Sequence, residues 1–148
     1  MTNTGGLTVS NPDFDAVAAL YEAWNTRDIA TWVDSFTPDA TWTNLPTGEV
    51  HAGHAGMADN YRHWDGPFRD GTCEKLTFAG GDGLVVTEFV AVGTHTGPLT
   101  TQDGEEIRPT GRTLSVPFCD IHRVENGRIA STRRYWDQLT VLTQLGLH

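Results

Sequence analysis

The sequence predicts an α+β fold: N-terminal helices, then a curved antiparallel sheet that wraps around them and leaves a central apolar pocket. Three observations predict it. Apolar residues recur at helical spacing up to Trp64. From Thr72 onward the pattern switches to alternation, with period two. Turn signals, above all Gly80-Gly81-Asp82-Gly83 and Asn126-Gly127, cut that second half into long strands. Helices grouped before strands give an α+β layering, and a curved sheet closed over helices leaves a gap at its centre.

The elements follow in order. Residues 1–11 read as a flexible tail before a single domain over 12–148. Asn11-Pro12-Asp13 offers a helix start, with Pro in the first turn. Phe14, Val17, Ala18, Leu20, Tyr21 and Trp24 then share one helical face. Asn25 to Asp28 breaks that helix and caps a short second one that buries Ile29, Trp32, Val33 and Phe36. Pro38-Asp39 turns the chain, and Ala40 to Leu45 reads as a strand. His51 to Gly56 is a small-residue loop, followed by a third helix over Ala55–Trp64 that Gly66-Pro67 stops. The strands are Thr72–Ala79, Leu84–Thr96, Arg112–Val124 and Arg128–Trp136, with a polar loop over Thr100–Pro109 and a short terminal helix.

Composition narrows the function. The chain has 148 residues, 38% of them hydrophobic, which suits one globular domain. Its net charge of −9, from 10 Lys+Arg against 19 Asp+Glu, argues against nucleic acid or an anionic membrane as partner. Arg123, Arg128, Arg133 and Arg134 cluster, but in strand sequence without a Lys-rich patch. Cys73 and Cys119 are too few for a disulfide scaffold. The start MTNTGGLTVSNPD lacks the pattern of a signal peptide, and no apolar run nears the ~20 residues of a membrane span. A soluble cytoplasmic protein is the expectation.

Chemistry is expected on the strand TLSVPFCDIHRVE. Leu114, Val116, Phe118, Asp120, His122 and Val124 share one face, so an acid and an imidazole lie on an apolar stripe. Buried ionisable groups are costly unless paired or functional. A three-residue loop, Glu125-Asn126-Gly127, places Asp120 opposite Thr132 and diagonal to Arg134. Asp120 and Arg134 then form either a charge-assisted pair that holds a carbonyl or enolate, or a structural ion pair. His122 is a proton shuttle or a packed rim residue. His95 follows Phe89, Ala91 and Gly93 on one alternation, which aims it at the pocket or leaves it at a strand end. Asn44, inward beside Trp42, is a candidate hydrogen-bond donor. Tyr21, Trp24, Trp42, Tyr61, Trp64, Phe89, Phe118 and Trp136 divide between core and an aromatic cavity wall suited to flat substrates. His51 and His54 stand three apart with no third ligand, so no metal is expected, and no nucleotide motif points to a cofactor.

Four segments carry a family resemblance: AWNTRDIATWVDSFTPDATW, HAGHAGM, GTHTGPL and DIHRVENGRIASTRRYWDQLTVLTQLG. With their order, they make the chain resemble the SnoaL-like polyketide (ester) cyclases of the NTF2-like superfamily, from about Asp13 to Gly146. The resemblance implies the cone-shaped fold, metal-free chemistry and a homodimer packed through the outer sheet face. It also implies roles by position. Asp120 stands where ketosteroid isomerases carry an acid that donates to an oxyanion, and where SnoaL-type cyclases carry a histidine. Asn44 replaces the isomerase base. Arg134 replaces the catalytic acid of the cyclases. Phe89 and Ala91 replace an Arg and an Asp of limonene epoxide hydrolases. The isomerases' first-helix tyrosine aligns nearer Leu20 than Tyr21.

The expected activity is cofactor-independent enolate chemistry on a small hydrophobic, polyketide-type carbonyl substrate: cyclisation or isomerisation. Asp120 or a histidine takes the proton, and Arg134, Asn44 or His95 holds the oxygen. The competing readings are a non-catalytic small-molecule binder, and a hydrolase or dehydratase with a histidine base.

Overall fold

The computed structural model describes residues 11–101 and 103–147. The expected tail lies outside them except for Asn11, which caps the first helix. Asn11 Oδ1 accepts the Asp13 and Phe14 backbone N–H groups, and Pro12 opens helix α1 (Pro12–Asn25). Asp28 caps helix α2 (Ile29–Asp34) in the same way, through Thr31 N–H. Strand β1 (Phe36–Asn44) starts four residues before the expected one. The expected loop at His51 begins as a short edge strand, β2 (Glu49–Ala52), and helix α3 (Gly53–Asp65) follows directly. Strands β3 (Thr72–Gly81) and β4 (Leu84–Thr94) form the next hairpin. Inside the expected polar loop sits a two-residue ladder, β5 (Leu99–Thr100) with β6 (Glu106–Ile107). Strands β7 (Thr113–Glu125) and β8 (Arg128–Trp136) run into helix α4 (Gln138–Leu145), capped by Asp137 and ended by Gly146 at φ 72°.

The α+β architecture is the one the sequence predicts, with two differences. The curved main sheet has the order β2-β1-β8-β7-β4-β3 and is mixed. Strand β1 runs parallel to β8, pairing Thr41 with Ser131 and Asn44 with Arg134. Alternation marks which side chains share a face, and it is the same for parallel and antiparallel partners. Strand direction was therefore not encoded in the pattern that located the strands.

A second difference sits at the β7–β8 turn. Asn126 and Gly127 take φ 51° and 79°, a two-residue turn that closes on Glu125 and Arg128. An extra residue, Ala130, then bulges out between the pairs Val124–Ile129 and Arg123–Ser131. The bulge restores the facing side chains but shifts the register. Asp120 lies directly opposite Arg134, and Thr132 lies opposite His122. The expected Asp120–Thr132 pairing does not occur.

The core lies between this sheet and helices α1, α2 and α3. Val17, Leu20, Phe36, Trp42, Met57, Val85, Val116 and Ile129 are fully buried there. Each large apolar side chain so buried contributes about 1.5–3 kcal/mol relative to exposure. Gly97 shows why GTHTGPL carries its second glycine. A Cβ there would collide with the Gly66 carbonyl, at the point where Thr96 and Gly97 N–H groups bond Pro67 O.

Candidate active site

The strand alternation delivers Asp120 and His122 to the buried face, both fully enclosed. Around them the chain builds one hydrogen-bonded line. Arg134 grips Asp120 with two parallel bonds, Nε to Oδ1 at 2.8 Å and Nη2 to Oδ2 at 2.9 Å. Such forked pairs are the strong class of charged contact. The Tyr21 hydroxyl donates to Asp120 Oδ2 at 2.7 Å and lies 2.7 Å from His122 Nε2. On the other side of the ring, His122 Nδ1 lies 2.7 Å from Thr132 Oγ1.

One proton arrangement satisfies every member. Thr132 donates to Nδ1 of a neutral His122, whose Nε2–H donates to the Tyr21 oxygen, and Tyr21 donates to Asp120. Electrostatics agrees. Burial, opposed by Asp120 and aided by Arg134, pulls His122 down to about 4, so it is neutral at pH 7. Burial and then the Asp120 charge push Tyr21 well above the usual phenol range. Burial alone would lower the Arg134 guanidinium, but Asp120 more than offsets this and leaves it raised.

Arg134 is the member that meets open space. An inner cavity with about 60 Å³ of water-accessible volume is lined by Tyr21, Trp24, Trp42, Tyr61, Trp64, Phe89 and Phe118, all named from the sequence, together with Arg134. The guanidinium carbon sits 4.7 Å from the Trp42 ring centre, 5.3 Å from Phe118, 5.4 Å from Phe89 and 5.5 Å from Trp64. Aromatic faces stabilise a cation at this range. Nη1 has no hydrogen-bond partner among the described residues. The cavity is therefore an aromatic box with one cation presenting unspent N–H groups.

Other expected residues fall elsewhere. Asp120 and His122 lie behind Arg134 and Tyr21 and do not line the cavity. Asn44 is enclosed and fully engaged: it accepts the Trp42 indole N–H at 2.9 Å and donates to Glu49 at 3.0 Å and Asn60 at 3.2 Å. It holds the floor of the site rather than a ligand. His95 is buried against Phe68, with Nδ1 accepting the Thr110 N–H at 3.2 Å. Burial lowers its pKa, and it stands outside the cavity wall. Trp136 stacks on Phe118 at 5.2 Å but lines a second, outer cavity. His54 Nε2–H donates to Phe36 O at 2.9 Å and ties α3 to β1. Among the described residues no group of three His, Cys, Asp or Glu side chains is arranged to hold a metal ion.

Several wall residues were not singled out from the sequence. Leu20, Phe68, Cys73 and Leu114 complete the inner cavity. Leu20 was findable, since it sits one helical turn from Trp24. Tyr21, not Leu20, supplies the hydroxyl at Asp120. Burial pushes the Cys73 thiol up to about 12, so it is inert as a nucleophile.

The model of a family described as SnoaL-like domain matches residues 17–132. Among solved structures, the chain is similar to IdmH, a candidate polyketide cyclase from Streptomyces antibioticus, at 28% identity and TM-score 0.73, covering 92% of this chain and 99% of that one. A candidate SnoaL-like polyketide cyclase from Jannaschia sp. CCS1 gives TM-score 0.81 at 17% identity, covering 97% and 99%. A candidate polyketide cyclase from Xanthomonas campestris gives 0.78 at 22%, covering 90% and 96%. No curated protein matches.

Proposed function

The chain belongs to the SnoaL-like domain family, and from that premise we propose that it is a cyclase or isomerase of hydrophobic small molecules that carry a carbonyl group. One observation carries the reading: Arg134, fixed by Asp120 on one edge, offers its remaining N–H groups to a cavity that is otherwise aromatic and aliphatic. A carbonyl oxygen seated there loses water and gains a preorganised cationic donor. Charge that develops on that oxygen is stabilised more than the neutral ground state is. The adjacent C–H bond becomes more acidic. When it breaks, water takes the proton, the carbanion forms a bond to a second carbonyl carbon of the same molecule, and the new alkoxide takes a proton back from water. Atoms balance as an internal rearrangement. Because Asp120 is tied to Arg134 and Tyr21, the network acts by holding the guanidinium rigid. Losing one such donor typically costs 10²–10³-fold in rate.

A second reading has its own support. Apart from Arg134, the titratable groups on the inner wall are two tyrosines and Cys73, none of them a base at neutral pH. A sequestering protein needs no base. Incubation with 1-phenyloctane-1,3,5,7-tetraone, an aryl poly-β-ketone whose C2 carbanion can close a six-membered ring on C7, separates the readings. Binding by calorimetry together with ring-closed product above the buffer rate supports the enzyme. Tight binding without product supports the binder. Weak binding that Arg134→Ala leaves unchanged removes both.

The expected homodimer belongs here as well. Tyr135 on β8 is 40% exposed on the outer sheet face. A dimer mass by light scattering, lost in Tyr135→Glu, is the expected result.

A further inference from the structure

The inner cavity is too small for the substrate class just proposed. Its volume, about 60 Å³, is a few times the ~10–15 Å³ that a single water needs on the same measure. It takes a carbonyl and part of one ring. The outer cavity is larger, about 340 Å³, and Trp64, Phe68 and Leu114 line both. The Trp64 indole borders both spaces. That indole N–H is buried and has no partner among the described residues, so it is a donor held in reserve at the boundary.

The outer cavity also contains what the inner one lacks. Glu49 on β2 and His63 on α3 both line it, with side chains 23% and 25% exposed. Glu49 Oε1 gathers three groups: Asn44 Nδ2 at 3.0 Å, His51 Nε2 at 3.5 Å and His63 Nε2 at 3.6 Å. A carboxylate facing Nε2 favours the tautomer with its proton there and leaves Nδ1 of His63 free to accept one. The His51 imidazole 3.5 Å away, opposed by burial, holds Glu49 at about 2, so this carboxylate stays ionised and orients rather than reacts. Burial, countered by Glu49, lowers His63, which is therefore neutral and able to accept a proton at pH 7. The other charged or titratable groups facing His63 across this space are His51 and Asp103.

We propose that the outer cavity is the second half of the active site, and that His63, oriented by Glu49, is its general base. This rests on the reading of Arg134 given above. The substrate it implies is elongated: an aryl poly-β-ketone chain or fused ring system. Its carbonyl oxygen sits at Arg134, and the acidic carbon next to that carbonyl faces the outer cavity along the Trp64 side chain that borders both spaces. The indole neighbours both groups, 5.5 Å from the guanidinium carbon and 5.6 Å from the His63 ring. The step is a proton transfer from carbon to His63 Nδ1, with the electron pair delocalised onto the oxygen at Arg134. The proton returns to the closed or isomerised product.

The test follows deuterium uptake at the methylenes of 1,5-diphenylpentane-1,3,5-trione in D2O by mass spectrometry, with affinity measured in parallel by calorimetry. Wild type is expected to accelerate uptake. His63→Gln is expected to lose at least about 100-fold of that acceleration, with Kd within twofold of wild type. Glu49→Gln, a positioning change, is expected to keep part of the rate and move its basic limb to lower pH. Trp64→Phe, which keeps an aromatic wall but removes the N–H, is expected to weaken binding several-fold. Unchanged uptake in His63→Gln, with loss in Arg134→Lys, overturns the base and leaves the enzyme reading standing. Binding by wild type with no acceleration over buffer overturns both, and the sequestering protein remains. Circular dichroism of each variant confirms that the fold persists.

Discussion

Two acid–histidine clusters sit in this protein, and they are built for opposite ends. At Asp120–Tyr21–His122 every group is enclosed, and each of the five hydrogen bonds around the acid and the ring is between 2.7 and 2.9 Å. At Glu49–His51–His63 the contacts are 3.5 and 3.6 Å, and the side chains are part open. The first is saturated and has nothing to give a ligand except the guanidinium it anchors. The second is loose and retains a free nitrogen. An ionisable pair in a fold is therefore better judged by what its partners leave unspent than by its residue types.

The sharpest way to break this contrast is at Arg134. Arg134→Ala leaves Asp120 enclosed without its cation, and about 3–5 kcal/mol of stability is expected to disappear in chemical denaturation. A loss below 1 kcal/mol would mean that the inner pair is not saturated after all. Acid titration of the folded protein comes next. His122 binds its proton at about 4 when folded and near 6.5 when unfolded. Its contribution is full above 6.5 and declines as pH falls toward 4, by about 3 kcal/mol in all. Glu49 has the opposite chemistry and a lower window: its stabilisation is complete above 4.5 and lost as pH drops toward 2. Two separate phases in a stability–pH curve are expected, and His122→Gln removes only the upper one.

Tyr21→Phe is third in size. It deprives Asp120 of one donor and His122 of its acceptor, for about 1–3 kcal/mol, read as a fall in denaturation midpoint with an unchanged slope. Glu49→Gln closes the series. The amide oxygen still accepts from Asn44, so stability at pH 7 is expected to shift by about 1 kcal/mol or less. A larger loss there would move the outer cluster into the same class as the inner one.

The inner cluster was largely legible in the sequence because one strand carries half of it. Alternation along TLSVPFCDIHRVE was enough to put Asp120 and His122 on the buried face, and the same rule brought Arg134 to it from β8. The register was not legible. It depends on the Ala130 bulge, which a two-residue turn compensates and which no residue type announces. Asn44 was rightly expected to point inward, but its partners arrive from β2 and α3, through tertiary contacts that periodicity does not encode. The outer cluster was illegible for the same reason. Glu49 belongs to a four-residue edge strand too short for an alternation to stand out, and His63 meets it only after α3 folds back. The cavity they share is closed by α4, which is remote in the chain.

The parallel ladder between β1 and β8 has a consequence for synthesis. A nascent chain emerges from its amino end, so Phe36 and Trp42 leave the ribosome long before Ile129 and Thr132, the residues they pair with. Until that last strand arrives, β1 has only the short β2 beside it and a bare edge on the other side. Loop closure over so much intervening polypeptide is slow, and the unfinished sheet is the stage at which a chaperone would find something to hold.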